Sequence, residues 1–308
     1  MRNNFADVIY EEGLKDERIC VVVADISPAG SIEKFRKKFP KRFINCGVAE
    51  QSMIGIAAGL ALEGFKPFCY TIATFALYRP FEMIRVDLAY QNLPVTVVGM
   101  GAGVIYSTLG STHHSMEDIS IATAIPNMRV LCPSDPLEMK MATKWCARNS
   151  KGPVYMRLGK AGEPILTKGS HQKFSIDKVR CIKKGVGNKF ALITYGTTLK
   201  MALELSDKIK KNKNFDLEVY TCNSIKPFDY DGVKKILKRF ERVIILEENV
   251  PHGGLASRVK EVNSDNNSSS KIYSFTLKDK FIHCYGSYAD ILNSHGLNVE
   301  NIYRSIFK

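Results

Sequence analysis

The sequence contains no run of the ~20 consecutive apolar residues that a membrane-spanning helix needs. Its longest stretch without a formal charge, Leu88 to Met116, is broken by Pro94, by Gly99, Gly101, Gly103 and Gly110, and by a run of Ser, Thr and His. No membrane partner is therefore expected. The first residues, Met1-Arg2-Asn3-Asn4-Phe5-Ala6-Asp7, put no apolar core behind their charge, so a secretory leader is not expected either. The eight cysteines, at 20, 46, 69, 132, 146, 181, 222 and 284, show no close pairing. Zinc sites and disulfide frameworks need clustered spacings. Buried, reduced thiols are expected instead, with no metal set in this chain, and they point to the cytoplasm. Acid is in deficit as well: 44 Lys and Arg against 31 Asp and Glu leave a formal charge of +13. The cations are spread, densest at Glu33–Arg42 and Lys208–Lys213, and they build neither an extended basic stripe interleaved with aromatics nor a recognisable nucleic-acid module. Solvated lysine-rich faces are expected, and no nucleic acid.

What remains is an ordinary globular composition, 45% hydrophobic and 24% charged over 308 residues. That length suggests about two domains. Apolar, β-branched runs alternate with helix-like stretches. Strands are expected at Arg18–Val23, Phe43–Cys46, Phe68–Ile72, Val95–Gly99, Met128–Cys132 and Val154–Arg157. Helices are expected at 31–39, Gln51–Leu62, Pro80–Tyr90 and Pro136–Arg148. The alternation argues for an α/β fold with a mostly parallel sheet covered on both faces. The pattern lapses into Gly, Lys, Pro and Ser, and a second α/β set then follows. This divides the chain into a domain at 1–160, a linker at 161–177 and a domain at 178–308. Ser264–Ser270 reads as a polar, mobile loop, and Ser287–Lys308 as two short helices.

Four segments could carry chemistry. In Cys46-Gly47-Val48-Ala49-Glu50-Gln51, a strand ends, a glycine turns, and Glu50 falls in the first turn of an apolar helix. Ligands collect at the carboxyl ends of strands in open α/β sheets, and desolvation there would raise the Glu50 pKa. The plainer account is an acidic residue favoured by the helix dipole. In Thr74-Phe75-Ala76-Leu77-Tyr78-Arg79-Pro80-Phe81, aromatics recur every third residue along one side of a turn. They could stack on a flat heteroaromatic ring or simply fill core. His113 and His114, in Gly110-Ser111-Thr112-His113-His114, form a poor metal pair but could serve as acid–base groups or donors to a substrate oxygen. Arg157 closes a strand and could grip a phosphate or carboxylate, or form a structural ion pair.

Taken in order, these segments resemble the C-terminal half of the transketolase family of thiamine diphosphate enzymes. Ala24-Asp25-Ile26-Ser27, Gly47–Gln51, Ala73–Tyr78, Gly110–His114 and Ile125–Met128 with Pro133–Asp135 are similar to its pyrimidine-binding domain. Ile225–Asp229 and Glu247–Asn249 with Gly253-Gly254 are similar to its last domain. The resemblance implies a thiamine-diphosphate pyrimidine-binding fold followed by a transketolase C-terminal-like domain. It also implies that Glu50 bonds a nitrogen of the cofactor's aminopyrimidine and promotes loss of the thiazolium proton. Phe75, Tyr78 and Phe81 would form the pocket, with Tyr78 stacked on the ring. Asp25, His113, His114 and Arg157 would meet the substrate, with His113 as acid–base group. No Gly-Asp-Gly occurs, so the diphosphate and its Mg2+ or similar cation would belong to an N-terminal partner subunit. The assembly implied is two copies of each chain. Leu109 and Gly101 stand where ketose-transferring relatives carry polar residues, which leaves the sugar-like substrate open. A 2-oxoacid dehydrogenase β-type subunit or a deoxyxylulose-phosphate-synthase-like enzyme is the alternative, and a non-catalytic α/β partner protein the second.

Overall fold

Strands buried on both faces and rich in β-branched residues build the first sheet, as a parallel sheet covered by helices requires. The structure, a computed structural model, describes residues 1–25, 32–170, 174–187 and 189–308. The expected strand end at Ile26-Ser27, the helix start at Ser31 and residues 171–173 of the expected linker lie outside them. The first sheet contains β1 (Ile19–Val23), β2 (Phe43–Asn45), β3 (Lys66–Ile72), β4 (Thr96–Met100), β5 (Arg129–Leu131) and β6 (Val154–Leu158). These strands run parallel, in the order β5-β6-β4-β3-β1-β2. Helices α1 (Arg2–Gly13), α2 (Glu33–Lys38), α3 (Glu50–Leu62), α4 (Ala73–Leu77), α5 (Phe81–Met83), α6 (Asp118–Ala124) and α7 (Pro136–Asn149) connect or cover them.

The second sheet holds β7 (Arg180–Lys183), β8 (Phe190–Thr194) and β9 (Glu218–Thr221), with β11 (Arg242–Leu246) and β12 (Lys271–Phe275). Its order is β12-β11-β8-β9-β7, and only β7 is antiparallel. Its helices are α8 (Leu199–Lys213), α9 (Tyr230–Arg239), α10 (Leu255–Asp265), α11 (Tyr288–His295) and α12 (Val299–Phe307). The chain is thus an α/β protein of two domains, each with a mostly parallel sheet flanked by helices.

Three features depart from the local pattern. The strand β10 (Ser224–Lys226), from the second half of the sequence, pairs antiparallel with β5 and becomes the seventh strand of the first sheet. Lys226 Nζ reaches across to the carbonyls of Thr123 and Ile125, and one apolar core runs from Val22 through Tyr195 to Val262. The helix expected at Pro80–Tyr90 is a short α-turn that passes into a π-helical stretch at Ile84–Tyr90, burying Ile84, Leu88 and Ala89. The Ser264–Ser270 loop is held down, because the Ser268 and Ser270 hydroxyls donate to the Leu237 carbonyl. The chain between the sheets is tied too: Asp135 accepts from the backbone N–H groups of Leu166 and Thr167.

None of the eight cysteines forms a disulfide, and six are buried. Among the described residues, no helix is long and apolar enough to cross a membrane.

Glu247 ends β11 inside the core, where its carboxylate accepts from the Leu255 and Ala256 N–H groups and the Tyr195 hydroxyl. Burial outweighs those donors and pushes its pKa up to about 7. The folded state therefore holds this proton more tightly than the unfolded chain. The stability it contributes is complete below the ordinary value of 4.5 and is lost as pH rises through about 7. Urea unfolding should show Glu247→Gln losing less stability than wild type, or gaining more, between pH 5 and pH 8; the comparison cancels the opposite pull of His295, whose burial lowers its pKa to about 4.

Candidate active site

The register of the parallel strands brings the chemistry-bearing turns to one edge. Val23 of β1 pairs with Asn45 of β2 and with Tyr70 of β3. Asp25, Gly47 and Ala73 therefore leave the sheet close together, at the carboxyl ends where α/β proteins bind ligands. The Asn45 side-chain oxygen ties two of these turns, accepting from the N–H of Asp25 at 3.1 Å and of Gly47 at 3.0 Å. Both residues have left-handed backbone, φ +67° at Gly47 and φ +42° at Asp25. Glycine adopts this freely. For aspartate it costs roughly 1 kcal/mol or more, a strain that the Asn45 bond helps to hold.

Glu50 opens α3 from the turn that follows and is buried, 5% exposed. It lines a cavity shared with Phe75, which is carried by α4 at the end of β3. Ala24, Asp25, Val48, Thr71 and Ile72 complete a cavity of about 190 Å3. Water occupies about 30 Å3 in the liquid, so the space left beside the lining side chains holds several waters. Arg79, half-exposed, lines the same cavity. Its Nη1 donates to both Glu50 oxygens, at 3.1 and 3.0 Å, and its guanidinium carbon lies 4.2 Å above the Phe75 ring. His113 meets Phe75 edge-on, with centroids 5.2 Å apart. Its Nδ1 lies 3.0 Å from the Thr112 hydroxyl. Burial first, and then the Arg79 charge, lower its pKa below 6.5, so at pH 7 the imidazole is neutral and can accept or donate a proton. Glu50, Phe75, His113 and Asp25 thus gather as candidate site residues.

Four other expected positions point elsewhere. Tyr78 packs against the core, and its hydroxyl donates to Glu117 Oε2 at 2.8 Å while accepting from the Glu117 N–H. Phe81 also packs on the core. The reason is the turn: α4 ends at Leu77 and Pro80 interrupts the winding. The three-residue spacing therefore no longer marks a single face, and Phe75 alone of the three lines the cavity. Tyr78 is not placed to stack on a ring there. His114 is buried, which lowers its pKa, and it does not line the Glu50 cavity.

Arg157 is buried as well. Its Nε lies 2.9 and 3.2 Å from the Asp118 carboxylate oxygens, and its Nη2 donates to the Glu248 carbonyl at 2.9 Å. A guanidinium so occupied between the two domains is no phosphate anchor. Gly101, where the resemblance places a polar residue, could not carry a side chain without rearrangement. It has φ +67°, and a Cβ there would collide with the Tyr106 ring. Arg79 was the residue missed by sequence reasoning, although a cation between two aromatics and next to a proline was a usable signal. Among the described residues, no group of three His, Cys, Asp or Glu side chains could hold a metal ion.

Comparison with known proteins gives the family of the chain. The family model described as Transketolase, pyrimidine binding domain matches residues 1–162, and Transketolase, C-terminal domain matches 177–302. The chain is 34% identical to a putative transketolase C-terminal section of Methanocaldococcus jannaschii, over 100% of this chain and 95% of that protein. It is 31% identical to an apulose-4-phosphate transketolase subunit of Phocaeicola vulgatus, over 98% of this chain and 94% of that protein. The solved structure titled split gene transketolase, inactive beta4 tetramer, superposes with a TM-score of 0.89 at 29% identity, covering 99% of this chain and 96% of that one.

The burial of Arg157 carries a stability consequence. Arg157→Met leaves the Asp118 carboxylate buried and unpaired, which costs about 3–5 kcal/mol. Urea unfolding should show a loss of that order, whereas a solvent-facing substrate anchor would leave stability almost unchanged.

Proposed function

The chain belongs to the transketolase family, and from that premise we propose that it is the C-terminal subunit of a split, thiamine diphosphate-dependent transketolase. In this reading it transfers a two-carbon ketol unit between sugar-like substrates, in a complex with a partner of similar size. The observation that carries the reading is the buried Glu50 carboxylate, which lines one cavity with Phe75 at the carboxyl ends of the parallel strands. A carboxylate in that position suits a heterocyclic nitrogen that must share a proton rather than lose it to water.

When bound, the cofactor supplies the carbon nucleophile for ketol transfer. Glu50 holds the proton at the ring nitrogen. Phe75 supports the ring face, a role expected of Tyr78 from the resemblance and better suited to Phe75 by position. His113, neutral at pH 7, gives or takes a proton at a substrate oxygen, and Asp25 at the rim accepts from a sugar hydroxyl.

The diphosphate and its divalent cation are assigned to the partner, since this sequence has no Gly-Asp-Gly and no metal-holding cluster among the described residues. A contact surface for a neighbouring subunit is assigned to α3, which is apolar on all sides beyond its first turn. Met53, Ile54, Ala57, Ala58 and Ala61 face the core. Ile56 and Leu62, with Val48 before the helix, are exposed, Val48 by 73%. A helix apolar all round is normally buried all round. The similar split-gene structure is titled an inactive tetramer of one chain, and we assign the same behaviour to this subunit alone: self-association without turnover. With its partner, two copies of each chain make the active assembly.

The test is reconstitution with a subunit that carries Gly-Asp-Gly, thiamine diphosphate and Mg2+. Ketol transfer should require both chains. Glu50→Ala should lower it by about 100-fold or more, with unfolding in urea still cooperative. Release of carbon dioxide from a 2-oxoacid donor would move the assignment to the decarboxylating relatives. An unaffected Glu50→Ala complex would instead make the chain a non-catalytic partner.

A further inference from the structure

The function proposed above leaves Arg79 without a task, although among the described residues it is the one cation lining the Glu50 cavity. Its placement is specific. One guanidinium nitrogen lies within hydrogen-bond distance of both Glu50 oxygens, and the guanidinium carbon stands 4.2 Å over the centre of the Phe75 ring. A guanidinium is flat and delocalised, stacks on aromatic faces, and carries N–H donors along its edge. An aminopyrimidine has the same two properties, a flat face and a nitrogen-bearing edge. Arg79 therefore makes both contacts that the ring would need, and the two groups cannot share one face of Phe75 and one carboxylate. The side chain is 50% exposed and its partner 5%. Rotation about its own bonds is enough to carry the guanidinium into solvent, with no backbone movement.

We propose that Arg79 stands in for the cofactor's aminopyrimidine in the unloaded subunit, holding Glu50 and Phe75 in the ring-binding arrangement, and must swing out to admit the ring. Arg79 is then an affinity-determining residue that competes with the cofactor. This rests on the reading of the Glu50 cavity as the ring site. It also has a signature that can be read without turnover. The Arg79 charge helps to lower the His113 pKa, second to burial, so departure of the guanidinium raises that value.

The experiment has two arms. In the reconstituted two-subunit complex with Mg2+, calorimetric titration with thiamine diphosphate should give Arg79→Ala a dissociation constant about threefold to fivefold lower than wild type, the range of a half-exposed ion pair. Arg79→Lys, which keeps a point charge but not the flat face, should fall between them. In the full chain alone, the His113 ring signals by NMR should titrate at higher pH in Arg79→Ala, with the fold checked by urea unfolding. Equal or weaker cofactor binding by Arg79→Ala would overturn the proposal, as would an unmoved His113 titration. If the wild-type complex binds no thiamine diphosphate while His113 still shifts, the ring-site reading fails and the stand-in role falls with it, but the Arg79 position is upheld. If binding depends on Glu50 and ignores Arg79, the ring site stands and the competition is refuted.

Discussion

A buried ion pair, Arg157 with Asp118, ties the two domains to each other. It lies where the end of β6 meets the second domain, and the same guanidinium donates to the Glu248 carbonyl while the Tyr155 hydroxyl donates to Asp118. Glu248 in turn accepts from the Val104 N–H and from the hydroxyls of Thr197 and Tyr288. Charges this deep persist only when every member is satisfied. The network therefore fixes the two sheets against each other and seals the β6 end of the first one. The ends of β1, β2 and β3 lie outside that seal, and the cavity forms there.

Within the open edge, three elements each contribute one property. The β2–α3 turn supplies a carboxylate, the β3–α4 junction supplies an aromatic face, and the β1 end supplies a strained aspartate held by Asn45. Because these arise from neighbouring parallel strands in register, their mutual positions are set by the sheet rather than by a flexible loop. The histidine arrives from farther away, on the segment after β4, and its contact with Phe75 adds a neutral imidazole to the same place. The proposed function reads the cavity of about 190 Å3, beside the exposed Ile56 and Leu62 of α3, as half of a cleft. That incompleteness is what gives the partner subunit its place in the proposed function.

The placement of Glu50 at a helix start and of Phe75 just after a strand end was legible in the sequence, because each marks a local transition that the chain makes whatever surrounds it. The placements of Tyr78, Phe81, His114 and Arg157 were not. The direction of Tyr78 and Phe81 turned on where α4 stopped before Pro80, a matter of one or two residues that periodicity does not resolve. His114 and Arg157 were covered by folding of the second domain, which no local window contains. The role of β10 was hidden for the same reason: three residues pair with a strand about a hundred positions earlier.

The sequence by itself determined the two α/β units, the parallel strands buried on both faces, the burial of most cysteines and the lack of a diphosphate motif. Each of these follows from residue type and spacing along a short stretch. Only the tertiary structure decided which polar groups face a ligand and which hold the domains together. Exposure is a property of what packs on top of a residue, and here that covering comes from parts of the chain distant in sequence. The same two chemical types, a carboxylate and a guanidinium, make both the sealed Asp118–Arg157 pair and the accessible Glu50–Arg79 pair. Position in the fold, and so access of water and ligand, is all that separates them.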